Sequence, residues 1–233
     1  MSQLITFSRV AAAAALAALL TACGGGSDDD AGQPANTTYN PRAAFQQLLG
    51  TGGSWTVQGT GNDNLNYQIT LGYSPAGSGV FVMDGRTYDT ANQTLTLRQS
   101  GSASGSVSQT LYHSLSTATV GGTRTSDNEC SVAVMTGSLP TAARVGDNGP
   151  LFRLTDYEGC VGSTAVGVTD VTWSVERNAG RAYYCLTTRY VTAGGLEIEC
   201  VEANGTGGLL GNRARVRIEA PVTGGTFVID ASN

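Results

Sequence analysis

Residues 67–88 read YQITLGYSPAGSGVFVMDGRTY, and two features of that stretch decide the fold class. Its first half alternates. Tyr67, Ile69, Leu71 and Tyr73 are separated by Gln68, Thr70 and Gly72. Successive side chains of an extended chain point to opposite faces, so the pattern predicts a strand with one buried and one wet face. The second half places Asp84-Gly85 between Val80–Met83 and Arg86–Tyr88, a two-residue hairpin signal. A strand that turns back on itself joins an antiparallel neighbour.

The same grammar runs through the rest of the chain. Val171, Trp173 and Val175 alternate with Thr172, Ser174 and Glu176, and Ala214, Val216, Ile218 and Ala220 with Arg213, Arg215, Arg217 and Glu219. Gly121-Gly122, Asn178-Ala179-Gly180, Gly194-Gly195 and Gly224-Gly225 sit between strand-like runs and read as turns. The expectation is an all-β antiparallel meander of roughly ten to twelve strands. Such a meander must close or stack to bury its apolar face, as a β-barrel or a two-sheet β-sandwich. One short N-terminal helix precedes it. PRAAFQQLL, residues 41–49, opens on a proline tolerated in a first turn and stops at Gly50. Residues 41–233 read as a single domain, with 139–149 the best place for an internal boundary.

Residues 1–22 have a different character. Arg9 precedes VAAAAALAALL (residues 10–20), and Leu20-Thr21-Ala22-Cys23 follows. Eleven helical residues reach roughly 16 Å, about half of the hydrocarbon core, which suits a signal-peptide core and not a permanent span. The order and spacing resemble the lipobox of bacterial type II signal peptides. The resemblance implies that residues 1–22 are removed and Cys23 is lipidated, making the membrane a partner. Gly24, where aspartate would retain such a protein in the inner membrane, implies the outer membrane, with the domain facing the periplasm. Residues 23–40 supply the lipidated cysteine and a polar tether, whose 17 residues after Cys23 span roughly 20–25 Å. Asp28, Asp29 and Asp30 in it read as a solvated acidic run, not a metal site.

The cysteine count follows from that assignment. Of five cysteines, lipid takes Cys23 and leaves Cys130, Cys160, Cys185 and Cys200. An even number in an oxidising compartment implies two disulfides, and Cys130–Cys160 with Cys185–Cys200 is the expected pairing. Zinc ligation is the alternative, but there is no CxxC spacing and only one histidine.

Composition removes several function classes. The chain has no lysine, so it has no P-loop lysine, Schiff-base lysine or Ser–Lys pair. Without residues 1–22 it holds 12 arginines against 18 acids, a balance of −6, which lacks the basic footprint of a nucleic-acid binder. His113, the single histidine, reads as a half-buried or surface residue. The nearest match to a nucleophile elbow, residues 101–105, has Ala103 where serine belongs. Asp156 and Glu158 do not form a recognisable hydrolytic pair, and Asp147-Asn148-Gly149 reads as a turn and not a calcium loop.

Arg213, Arg215 and Arg217 stand out in a chain with only 13% charged residues. They suit an anionic ligand such as a phosphorylated glycolipid or polysaccharide. Glu197 and Glu199, on the preceding predicted strand, offer a competing explanation as cross-strand ion-pair partners.

Gly53-Ser54-Trp55 after a short helix, with Thr155-Asp156-Tyr157 farther on, resembles the GxW and TDY motifs of lipocalins. That resemblance implies an eight-stranded up-and-down barrel carrying an apolar ligand. The sequence thus points to a lipid-anchored envelope protein, with no cofactor or metal. Its role reads as non-enzymatic: binding an envelope protein or glycan, or contributing structure. A lipocalin-like carrier and a cell-envelope hydrolase are the alternatives.

Overall fold

A computed structural model describes residues 37–102, 104–161, 164–204 and 209–233. Residues 1–22, Cys23 and most of the 23–40 tether lie outside the described residues. The described residues form a helix, α1 (Pro41–Gly50), and twelve strands. These are β1 (Gly53–Gly61), β2 (Asn66–Phe81), β3 (Arg86–Gln99), β4 (Ser104–Ser114), β5 (Thr119–Thr125) and β6 (Cys130–Met135). The second half comprises β7 (Asn148–Tyr157), β8 (Ala165–Asn178), β9 (Arg181–Tyr190), β10 (Leu196–Asn204), β11 (Leu209–Val222) and β12 (Gly225–Ser232). Every strand pairs antiparallel with its sequence neighbours, and β12 pairs with β1. Of the two expected architectures, the meander takes the closed barrel, which leaves no edge strand exposed.

Alternation decides what is inside. Val57, Ile69 and Leu71 are fully buried and register-paired across β1 and β2, while Thr56, Gln58, Gln68 and Thr70 point outward. The outer wall also carries Arg153 paired with Asp170 and Arg215 paired with Asp230. Guanidinium–carboxylate pairs in mid-strand are the reverse of an apolar band on the outer wall.

One end is shut by α1. Asn40 caps it, its Oδ1 accepting from the Ala43 N–H at 2.9 Å. Ala44, Phe45, Leu48 and Leu49 recur at helical spacing and are buried in the same core as the barrel interior. Three polar ties hold the helix across the opening. Gln46 donates to the Leu115 carbonyl, Arg42 donates to the Ser116 carbonyl at 2.7 Å, and the Leu210 N–H donates to Gln47 at 3.0 Å. Residues 136–147, between the paired β6 and β7, are part of this closure and do not separate domains. Leu139 and Ala143 join the core, and Tyr39 bridges to Ala143.

Two turn expectations need correction. The β2–β3 hairpin closes through four residues, not two. Phe81 pairs with Arg86, Gly85 has φ +70°, and Asp84 accepts from the Arg86 N–H at 2.9 Å. Gly121-Gly122 is no turn, because both residues lie within β5. A Cβ on Gly122 would come within 2.4 Å of the Phe81 ring, and one on Gly121 within 2.4 Å of Tyr88. These glycines make room for aromatic rings. A bulge between Pro75 and Gly77 shifts the β2 register, so Phe81 packs with Tyr112, Cys130 and Cys160 in a cluster separate from the main core.

Both disulfides form as paired above. Cys130–Cys160 ties the start of β6 to the β7–β8 connection, and Cys185–Cys200 joins opposed positions of β9 and β10. The second closes a loop with a sequence separation of 15, worth about 3 kcal/mol in the chain-entropy account.

Candidate functional site

The polar content of the barrel interior gathers around β10. Glu197 and Glu199 both take inward positions, opposite Thr188 and Leu186 on β9 and Ile218 and Val216 on β11. Glu199 is only 7% exposed. Tyr73 of β2, from the other side of the barrel, donates its hydroxyl to one Glu199 oxygen. Gln93 of β3 donates to the other at 2.8 Å, and Gln109 of β4 donates to Gln93 at 2.6 Å. A hydrogen-bonded chain therefore spans the interior from β4 to β10. Nearer the end opposite α1, Tyr190 donates to Glu197 at 3.2 Å. Asp156 accepts from Ser131 at 2.8 Å and from Thr169 at 3.0 Å.

Burial pushes the Glu199 carboxyl well above its ordinary value of 4.5, and the adjacent Glu197, which shares a hydrogen bond with it, adds to the rise. Tyr73 and Gln93 oppose that shift without cancelling it. The Glu199 carboxyl thus holds its proton to higher pH than a free carboxyl does. An unfolded chain releases this proton near 4.5 while the folded chain keeps it. The resulting cost to stability appears as pH rises above about 4.5.

The arginine row is on the other side of the wall. Register places Arg217 opposite Ile198 and Arg215 opposite Cys200, one step out of phase with Glu197 and Glu199. The expected cross-strand pairing with those glutamates therefore does not occur. Arg215 instead binds Asp230 of β12 at 3.0 Å and approaches Glu176 of β8 at 3.9 Å. Arg217 binds Glu219 at 2.7 Å and Asp230 at 3.4 Å. Arg213 reaches the Asn233 carbonyl at 3.5 Å. These are surface pairs, individually worth about 1 kcal/mol or less, and the row is not a bare cationic stripe.

His113 is the other correction. It is 1% exposed, facing Asp89 and Val120 across the register, and neither ring nitrogen has a hydrogen-bond partner among the described residues. Burial lowers its pKa from 6.5, with Asp89 opposing. As pH falls below about 6.5 the unfolded chain takes up a proton that the folded chain resists, so stability drops. His113→Leu should remove that acid-side loss and raise stability by about 1–2 kcal/mol at neutral pH, since an unsatisfied polar group is deleted. Urea unfolding at pH 5.5 and 7.5 checks both parts.

Asp156 and Glu158 do not come together, since Asp156 faces inward while Glu158 is exposed in the connection after β7. Asp147 accepts from the Arg144 N–H at 2.8 Å beside a turn at residues 145–146, but Asn148 and Gly149, expected in the same turn, are the first residues of β7 and pair with Ser174 and Trp173. Trp55 points inward and donates to the Gly211 carbonyl at 3.0 Å near the α1 end, whereas Asp156 lies toward the opposite end. The barrel has twelve strands where the lipocalin resemblance implied eight.

Opposite α1, the described residues leave the barrel uncovered. Val107 faces inward opposite Leu95, yet is 55% exposed. Tyr190 and Val222, near the ends of β9 and β11, and Leu65 and Val191 in the adjoining loops are exposed too. Leu95, Leu97, Ile218 and Phe227 line the same half of the barrel and are partly buried against the core. An apolar wall therefore descends beside Glu197, Tyr190 and Asp156. No sequence rule singles out this mouth; its strand residues come from seven strands and meet only when the barrel closes. No family model, curated protein or solved structure matches the chain.

Proposed function

We propose that the chain is a lipoprotein of the bacterial cell envelope, anchored to the outer membrane through Cys23, that binds its partner through the open barrel end without catalysis. One observation carries the reading. The barrel is shut by α1 at one end, while its other end presents exposed apolar side chains above a polar recess. Exposed apolar groups grouped around a concavity are the usual mark of a binding site. The tether supports the orientation, because residues 37–40 enter at the α1 end, leaving the mouth at the far side from the anchor.

Hydrolysis is the weaker reading. Glycoside-cleaving carboxyls act from opposite sides of a bond, whereas Glu197 and Glu199 are next-but-one neighbours on the same face of one strand.

Photo-crosslinking residues at Val107 and Val222, compared with Thr56 and Arg153 on the outer wall, test the proposal. In the producing cell's envelope the mouth positions should acquire a discrete added mass on the intact protein, and the wall positions should not. Equal adducts at all four positions, or adducts confined to the wall, would overturn it.

A further inference from the structure

Among the described residues, the open half of the interior is charged with one sign only. Glu197, Glu199 and Asp156 point into it. The arginines of the surrounding strands face out by register: Arg98 opposite Ser104, Arg124 opposite Cys130, Arg153 opposite Asp170, Arg189 opposite Leu196 and Arg217 opposite Ile198. The chain has no lysine to reach in. Carboxyls taken from water ordinarily acquire a cationic partner. Here Ser131, Thr169, Tyr73, Tyr190 and Gln93 supply only neutral donors.

Resting on the binding reading above, we infer that the mouth takes a cationic amphiphile, a protonated amine carrying an apolar chain. Its ammonium sits against Glu197 at the top of the acid pair, with Tyr190 and Asp156 beside it. Its apolar chain lies along Leu95, Leu97, Ile218 and Phe227 and leaves past Val107. Charge complementarity selects the head, and the half-exposed wall selects the tail. Glu199 gives its proton to solvent when the ammonium arrives, so net charge within the recess stays low.

A bare metal ion fits less well. Among the described residues, the one compact set of three metal-ligating side chains is Glu176, Cys185 and Cys200, outside this recess, and its two sulfurs are joined in a disulfide. Glu197, Glu199 and Asp156 are not gathered closely enough to form such a set.

Isothermal titration of the purified full chain with octylammonium and with octanoate tests the inference, each run in two buffers of different ionisation enthalpy. Octylammonium should bind at least about tenfold more tightly than octanoate, with proton release. Glu197→Gln should weaken octylammonium by about tenfold or more and abolish the release, while Glu219→Gln on the outer face should do neither. Equal binding of the two amphiphiles would overturn the cationic class yet leave the mouth as a binding site. Failure of both to bind would overturn the amphiphile as well, and the crosslinking result would still judge the mouth. If Glu197→Gln does not fold, the wild-type preference between the two probes decides.

Discussion

Trp55→Ala should destabilise the chain by about 3–5 kcal/mol, whereas Thr56→Ala, one residue along, should cost less than about 1 kcal/mol. Trp55 is 6% exposed inside the barrel, and its indole N–H satisfies the Gly211 carbonyl of β11. Truncation leaves a large cavity and an unpaired carbonyl together, two penalties that add. Gly53 is bound up in this arrangement, because a Cβ there would meet the Trp55 ring at 2.4 Å. Thr56 faces solvent, and its hydroxyl contacts only Thr70 across the strand pair at 3.1 Å. The contrast is a direct reading of register, since a one-residue slip would exchange the two faces. Chemical unfolding with the disulfides intact measures it. A comparable loss from both variants would contradict the inside–outside assignment of β1.

Alternation was the part of the fold most legible in sequence. Tyr67 to Tyr73 and Ala214 to Ala220 place their apolar sets inward as the pattern implies, because a strand with one wet face allows no other choice. The cysteine pairs were legible for the same reason, since Cys185 and Cys200 lie on consecutive strands around Gly194-Gly195. Relative phase between strands was not legible. Glu197 and Arg217 each follow an alternating pattern, yet whether they share a face depends on a register that neither pattern contains. The bulge at Pro75–Gly77 likewise moves Phe81 to the outer cluster and fills the space over Gly121-Gly122, where local reading sees only a turn. The recess was hidden for a topological reason. Tyr73, Gln93, Gln109 and Glu199 are brought together across the barrel, over sequence separations of up to 126.

Loss of Cys23 should have the second large effect, and an all-or-none one. On the proposed anchoring, stable membrane residence would depend on acyl chains carried by the Cys23 thiol, because the apolar run of residues 10–20 is too short to span a bilayer. One chain holds marginally and two or more hold firmly, at about 0.8 kcal/mol per buried CH₂. The described outer wall carries threonines, glutamines and ion pairs. The proposal extends to function: a lipid-anchored tether with the coil span of roughly 20–25 Å would keep the barrel near one membrane surface.

The most direct measurement is metabolic labelling with a palmitate analogue in the producing bacterium, read together with the intact mass and the membrane partition of the chain. The wild type should carry the label on a chain beginning at Cys23 and fractionate with the outer membrane. Cys23→Ser should lose the label and leave the membrane while remaining folded with both disulfides formed. A wild type without label, or a Cys23→Ser variant that keeps the label or the membrane, would contradict the account of this barrel as a lipid-anchored envelope protein.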